Sequence, residues 1–269
     1  MTFDKATIDS WSEEEVARFK QPRPVARLGL EAAPRLRLVA EGDSWFDYLP
    51  GTDVIDCLRR FHNFEIENHA KAGDTLENMV FGGRSAAFLG AVKDLKPKAL
   101  LFSAGGNDVA GDSFGGYLNH QSSGLPLLRQ DVMVHMIDTV FERYFNRLIE
   151  AVAAVSPQTT IVTHGYGHTR PTGKGVINFF GFHFVGPWLL PALLSKAIHD
   201  PAQQFACVVQ LMDRYNALLA RLSQQNPRFR HVDLRPIINP DSDWANELHL
   251  KNSAYVRVAD KIAGVLQSL

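Results

Sequence analysis

The chain has 269 residues, 45% of them hydrophobic, enough to close a sizeable core within a single domain. Its 28 lysines and arginines nearly balance 29 aspartates and glutamates, so the global charge of -1 gives no reason to expect nucleic acid or an anionic membrane as partner and points to a small molecule. The two cysteines, Cys57 and Cys207, fall in amphipathic helical patterns where a thiol behaves as a small buried hydrophobe, which argues against a disulfide framework.

In chain order, residues 1–34 read as an arm of mixed charge, with one short helix at SEEEVARF capped by Ser12. The opening MTFDKATIDSW lacks the basic and apolar regions of a signal peptide, so a leaderless, cytoplasmic chain is expected. Residues 35–269 alternate short apolar runs with longer helical patterns, the signature of a parallel sheet with crossover helices in one α/β domain. The strands are expected at Leu36–Ala40, Phe64–Asn68, Ala99–Ser103, Thr160–Thr163 and His231–Leu234. Helices are expected from Thr52 to Phe61 after a Thr cap, within Thr75–Leu95, and over Val132–Val155, Pro201–Leu222 and Ser253–Leu266. Two long interruptions, at about 111–130 and 165–200, leave the carboxyl ends of the third and fourth strands, where ligands bind in open α/β sheets.

The second interruption contains GVINFFGFHFVGPWLLPALL from Gly175 to Leu194, about the length of a membrane span. Pro187 and Pro191 would break its backbone ladder, and Asn178 and His183 would need partners in hydrocarbon, so no transmembrane span is expected. Phe179, Phe180, Phe182, Phe184, Trp188 and Leu190 are read either as an acyl-binding wall or cover, or as an insertion packed on the core.

Chemistry-bearing residues cluster just past the strands. Strand one runs into EGDSWFD, which puts Ser44 in the loop before a helix, with Gly42 allowing a tight turn and the Ser44 amide available as an oxyanion donor. Strand two ends in NHAKAGDTLENM, whose Gly73 amide is a second candidate donor, although Ala-Gly-Asp-Thr also reads as a turn into a helix capped by Asp74. Strand three runs into SAGGNDVAG, where Gly105 and Gly106 let the backbone approach a ligand and the Asn107 amide is a third donor. If the sheet has the doubly wound order 2-1-3-4-5, strands one and three flank the switch point and Ser44 faces Asn107. Near the carboxyl terminus DWANELHLKNSAY supplies His249, the candidate base; His69, His164 and His168 also sit near strand ends and are geometric rivals. Metal-ligand spacings such as HExxH or paired cysteines are missing, as are GxGxxG and Walker sequences after the first strand, so neither a metal nor a nucleotide or flavin cofactor is expected.

Taken in order, GDSWF, AGDTL, GGND and NELH resemble the four blocks of the SGNH (GDSL-type) hydrolases, over roughly residues 36 to 266. The resemblance implies a flavodoxin-like three-layer α/β/α sandwich with a five-stranded parallel sheet, and ester hydrolysis through an acyl-enzyme without cofactor. It assigns Ser44 as nucleophile, His249 as base, and Ser44, Gly73 and Asn107 as the oxyanion hole. The family's last block usually carries Asp three residues before the His, where this chain has Asn246. Asn246, Glu247, Asp243 and a backbone carbonyl are the candidates to orient His249, with Asn246 the positional match. Asp to Asn in a serine protease triad lowers turnover about 10⁴-fold by favouring the wrong imidazole tautomer, so a weakly catalytic or purely ligand-binding module on the same fold is the alternative.

Overall fold

The computed structural model describes residues 3–21, 36–177 and 184–269. A 3-10 turn, Lys5–Ser10, precedes helix α1, Glu13–Lys20, which starts at a capping box formed by Ser12 and Glu15. Then follow β1 (Arg37–Gly42), α2 (Val54–Phe61), β2 (Glu65–Asn68), α3 (Leu76–Phe81), α4 (Ser85–Leu95), β3 (Ala99–Ser103) and the single turn α5 (Gly106–Val109). Next come α6 (Gln130–His135), a π-helical stretch at Met136–Phe141, α7 (Glu142–Val155), β4 (Thr160–His164), β5 (Val176–Ile177) and β6 (Phe184–Val185). The chain closes with α8 (Leu190–Ser195), α9 (Pro201–Gln225), β7 (Phe229–Val232) and α10 (Asn252–Gln267).

Five parallel strands form the central sheet in the order β2-β1-β3-β4-β7, the doubly wound arrangement expected from the sequence once β7 is counted as the fifth sheet strand. β3 and β4 are buried along their whole length and, up to His164 at the end of β4, read as continuous apolar or small residues, as central parallel strands do, while edge strand β2 alternates. α2 and α10 pack together on one face; α3, α4, α7 and α9 cover the other. Both cysteines are buried and unpaired, Cys57 in α2 and Cys207 in α9.

Several local expectations shift. The fifth sheet strand lies at Phe229–Val232 and not at His231–Leu234: fully buried Phe229 pairs with Ile161, whereas Leu234 is buried in the loop beyond the ladder. The cap of α2 is Asp53, which accepts from the Asp56 amide, and not Thr52; the cap of α3 is Thr75, not Asp74. Between Gly175 and Leu194 the chain makes the β5–β6 hairpin and the short α8, and among the described residues no helix is long and apolar enough to cross a membrane. Asn178, Phe179, Phe180, Phe182 and His183, like residues 22–34 of the arm, lie outside the described residues.

Candidate active site

Ser44 stands on the turn that leaves β1. Gly42 is required there by space: a Cβ would come within 2.9 Å of both Phe46 and the Ser103 side chain. Beneath the turn, the buried Asp43 carboxylate gathers three donors, the Trp45 amide at 2.9 Å, the Ser103 hydroxyl at 2.7 Å and the Tyr166 hydroxyl at 2.5 Å. Burial raises the Asp43 pKa, with those hydrogen bonds opposing the shift. Tyr166 OH also accepts from the Gly106 amide at 3.3 Å, so one phenol joins the Ser44 turn to the Asn107 turn.

The Ser44 hydroxyl lies 2.8 Å from His249 Nε2. The imidazole is 5% exposed, stacked on the Tyr48 ring at a centroid distance of 4.2 Å and met edge-on by Trp188 at 5.6 Å. Its other nitrogen, Nδ1, lies 3.0 Å from Asn246 Oδ1. The same oxygen accepts the backbone N–H groups of His249 at 2.9 Å and Leu248 at 3.0 Å. Only the oxygen end of an amide satisfies two N–H donors, so the amide cannot be flipped, and Nδ1 must be the nitrogen that carries hydrogen. Nε2 is left with a lone pair toward Ser44. With burial opposing its charge and no carboxylate as partner, His249 has its pKa pushed down to about 4.

The other orienting candidates are committed elsewhere. Glu247, fully buried, accepts backbone N–H groups from Gly173, Trp188, Leu189 and Leu190 at 2.6–3.1 Å and so anchors the 165–200 insertion beside the site. Asp243 accepts from the Asn239 amide and pairs with Arg257. The rival histidines pair with Glu67 (His69), the Gly165 carbonyl (His164) and Asp213 (His168).

Gly73 has φ +84°, a left-handed backbone that favours glycine, and its missing side chain faces open space in the cleft around His249. Asn107 Nδ2 donates to the Asp74 carbonyl at 2.8 Å and keeps a second N–H without an acceptor among the described residues; the Ser44 and Gly73 amides are equally unclaimed there. The adjacent Asp108 accepts the first amides of α3, Leu76 at 2.8 Å and Glu77 at 3.3 Å, which locks the Gly73 and Asn107 turns together. Gly105 serves packing more than ligand approach: at φ +98° its α-carbon lies against the Tyr215 ring, and a Cβ would sit 2.9 Å from it. Asp43, Tyr166 and Trp45 were not singled out from the sequence. Trp45 is a further tie, since its indole donates to the Leu248 carbonyl at 2.9 Å and binds the Ser44 turn to the His249 loop. GDSW displayed Asp43 and Trp45, but their partners lie more than 50 residues away.

No family model matches the sequence, and no curated protein matches it. Solved structures do share its architecture. The extracellular lipase from Streptomyces rimosus is 15% identical, with a TM-score of 0.54 over 84% of this chain and 99% of that one. Phospholipase A1 from Streptomyces albidoflavus NA297 is 13% identical, with a TM-score of 0.53 over 87% and 99%. A protein from Desulfitobacterium hafniense DCB-2, grouped with the G-D-S-L lipolytic family, is 12% identical, with a TM-score of 0.52 over 86% and 99%. At such identities the likeness establishes architecture, and the chain has the α/β/α fold found in SGNH (GDSL-type) hydrolases.

Proposed function

We propose that this chain is a serine-dependent ester hydrolase in which Ser44 is the nucleophile, His249 the general base and Asn246 the group that orients it. The observation that carries the reading is the 2.8 Å contact of Ser44 Oγ with an imidazole whose tautomer is fixed by a triply engaged amide oxygen. His249 Nε2 takes the Ser44 proton as Oγ attacks the ester carbonyl carbon, whose oxygen becomes an oxyanion. The Ser44 and Gly73 amides and the free Asn107 N–H donate to that oxygen. The tetrahedral species collapses, the C–O bond to the alcohol breaks, and His249 returns the proton to the leaving oxygen. Water, deprotonated by the same imidazole, then attacks the acyl-enzyme; the bond from the acyl carbon to Ser44 Oγ breaks, His249 returns the proton to Oγ, and the carboxylic acid is released.

The activities named for the lipase and phospholipase A1 relatives are ester hydrolyses and support this class of reaction. Asn246 also motivates the opposite reading, a ligand-binding module without turnover. The held amide speaks for catalysis, because the tautomer that an Asn permits wrongly in a protease is here the productive one. A fluorophosphonate probe separates the two: labelling at Ser44, abolished in Ser44→Ala and in His249→Ala, is expected. Turnover of p-nitrophenyl acetate should vanish in the same variants and fall ~10²–10³-fold in Asn107→Ala. Wild-type turnover by folded Ser44→Ala would sink the assignment.

A further inference from the structure

Two compartments of different character meet at Ser44. One is a slot of about 30 Å³ whose apolar walls come from Val109, Leu189, Val208, Leu211, Met212 and Trp244, three of them on α9. The other is a cleft of about 500 Å³ beside Gly73, Tyr48, Trp188 and His249, bounded across by α1 through Val16 and Lys20. Ser44 and Asn107 line both; His249 lines the cleft and not the slot.

That asymmetry orients an ester. The leaving oxygen must receive its proton from His249 Nε2, so the alcohol departs on the imidazole side, into the cleft. The acyl chain, on the other substituent of the same carbonyl carbon, is left with the slot. A volume of about 30 Å³ accommodates about one or two water-sized groups, a methyl or an ethyl.

Resting on the hydrolase reading above, we propose that the substrates are esters of the shortest acyl groups, acetyl or propionyl, with alcohols large enough to fill the cleft, and that Met212 and Leu211 set the acyl limit. The slot is lined mainly by apolar side chains and its α9 end is packed, Leu211 being 2% exposed and Met212 8%. A longer chain must displace packed side chains there, which close-packed interiors resist.

Octyl acetate and ethyl octanoate test this directly, because they are isomers that exchange the long chain between the alcohol and the acyl side. Octyl acetate should be hydrolysed with a kcat/KM at least about tenfold higher, and p-nitrophenyl esters should decline at least about tenfold from acetate to hexanoate. Met212→Ala should raise the hexanoate-to-acetate ratio about tenfold, with circular dichroism checking the fold and Met212→Val as the milder variant. Equal or faster hydrolysis of ethyl octanoate, or an unchanged ratio in both folded variants, would overturn the proposal while leaving the hydrolase reading standing if Ser44 still reacts with fluorophosphonate. Loss of both labelling and turnover across the whole ester series would instead remove the hydrolase reading, and this proposal with it.

Discussion

At the residue scale, Asn246 is the informative departure. Its oxygen is held by two backbone amides of its own loop before the imidazole is considered, so His249 is oriented by a neutral group. A general base must be neutral to act, and an imidazole whose pKa lies at about 4 stays neutral well below the usual range. The acid limb of kcat/KM should therefore fall near that value. The charged groups that face the cleft around it, Glu13, Lys20 and Asp47, are of mixed sign. Asn246→Asp puts a carboxylate beside Nδ1 and favours the imidazolium, so the acid limb should move upward by about one to three pH units. A pH–kcat/KM profile of the two proteins checks this, and an unmoved limb would mean that Asn246 does not govern the base. Asn246 stands where the motif marks an orienting residue, yet four candidates for that role stay open in the sequence, because the choice rests on backbone amides that carry no residue identity. Asp43 and Tyr166 were out of reach for the same kind of reason: their pairing spans 123 residues and is made by the sheet order.

At the scale of elements, the strands were legible because the central parallel strands bury both faces and show as largely apolar runs, while edge strand β2 alternates. The β5–β6 hairpin was not, since two-residue strands carry no pattern. Helix α9 shows a different limit. Its spacing of Val208, Met212, Tyr215 and Leu219 reads as one core face, yet Val208 and Met212 line the slot while Tyr215 donates to the Ala104 carbonyl. Helical periodicity separates inside from outside and does not separate core from cavity. Within the 165–200 insertion, four backbone amides share one acceptor side chain from another loop, Glu247. Glu247→Ala leaves four backbone amides without their acceptor, two of them at Leu189 and Leu190 next to the slot. A loss of about 3 kcal/mol or more is expected. Hydrogen exchange should quicken at those amides first, and unchanged protection there would refute the anchoring role.

For the molecule as a whole, a buried carboxyl on β1 contributes a pH signature to stability. Glu41 is 1% exposed; one oxygen accepts the Gly42 amide and the other has no hydrogen-bond partner among the described residues. Desolvation, the dominant cause, raises its pKa from 4.5 to about 7. The folded state therefore holds this proton more tightly than the unfolded chain. Its contribution to stability is full below pH 4.5 and is lost as pH rises through about 7. Glu41→Gln removes the titration, so the variant should gain on the wild type above pH 7, by on the order of 2 kcal/mol, and lose that gain toward pH 4.5. Denaturant midpoints at the two pH values measure the difference, and a gain independent of pH would assign the effect to packing.

Lys20, at the end of α1, donates to the carbonyls of Tyr48 and Gly51, and Tyr48 is the platform on which the His249 ring lies. Asp9 and the Ile8 carbonyl meanwhile grip Ser253 and Asn252 at the start of α10, just past the histidine loop. The amino-terminal stretch, which composition marks as peripheral, is thus a strut for the imidazole. A purification tag or a trimmed terminus that pulls on residues 3–21 would register in an assay as a catalytic defect, although it touches no reacting atom.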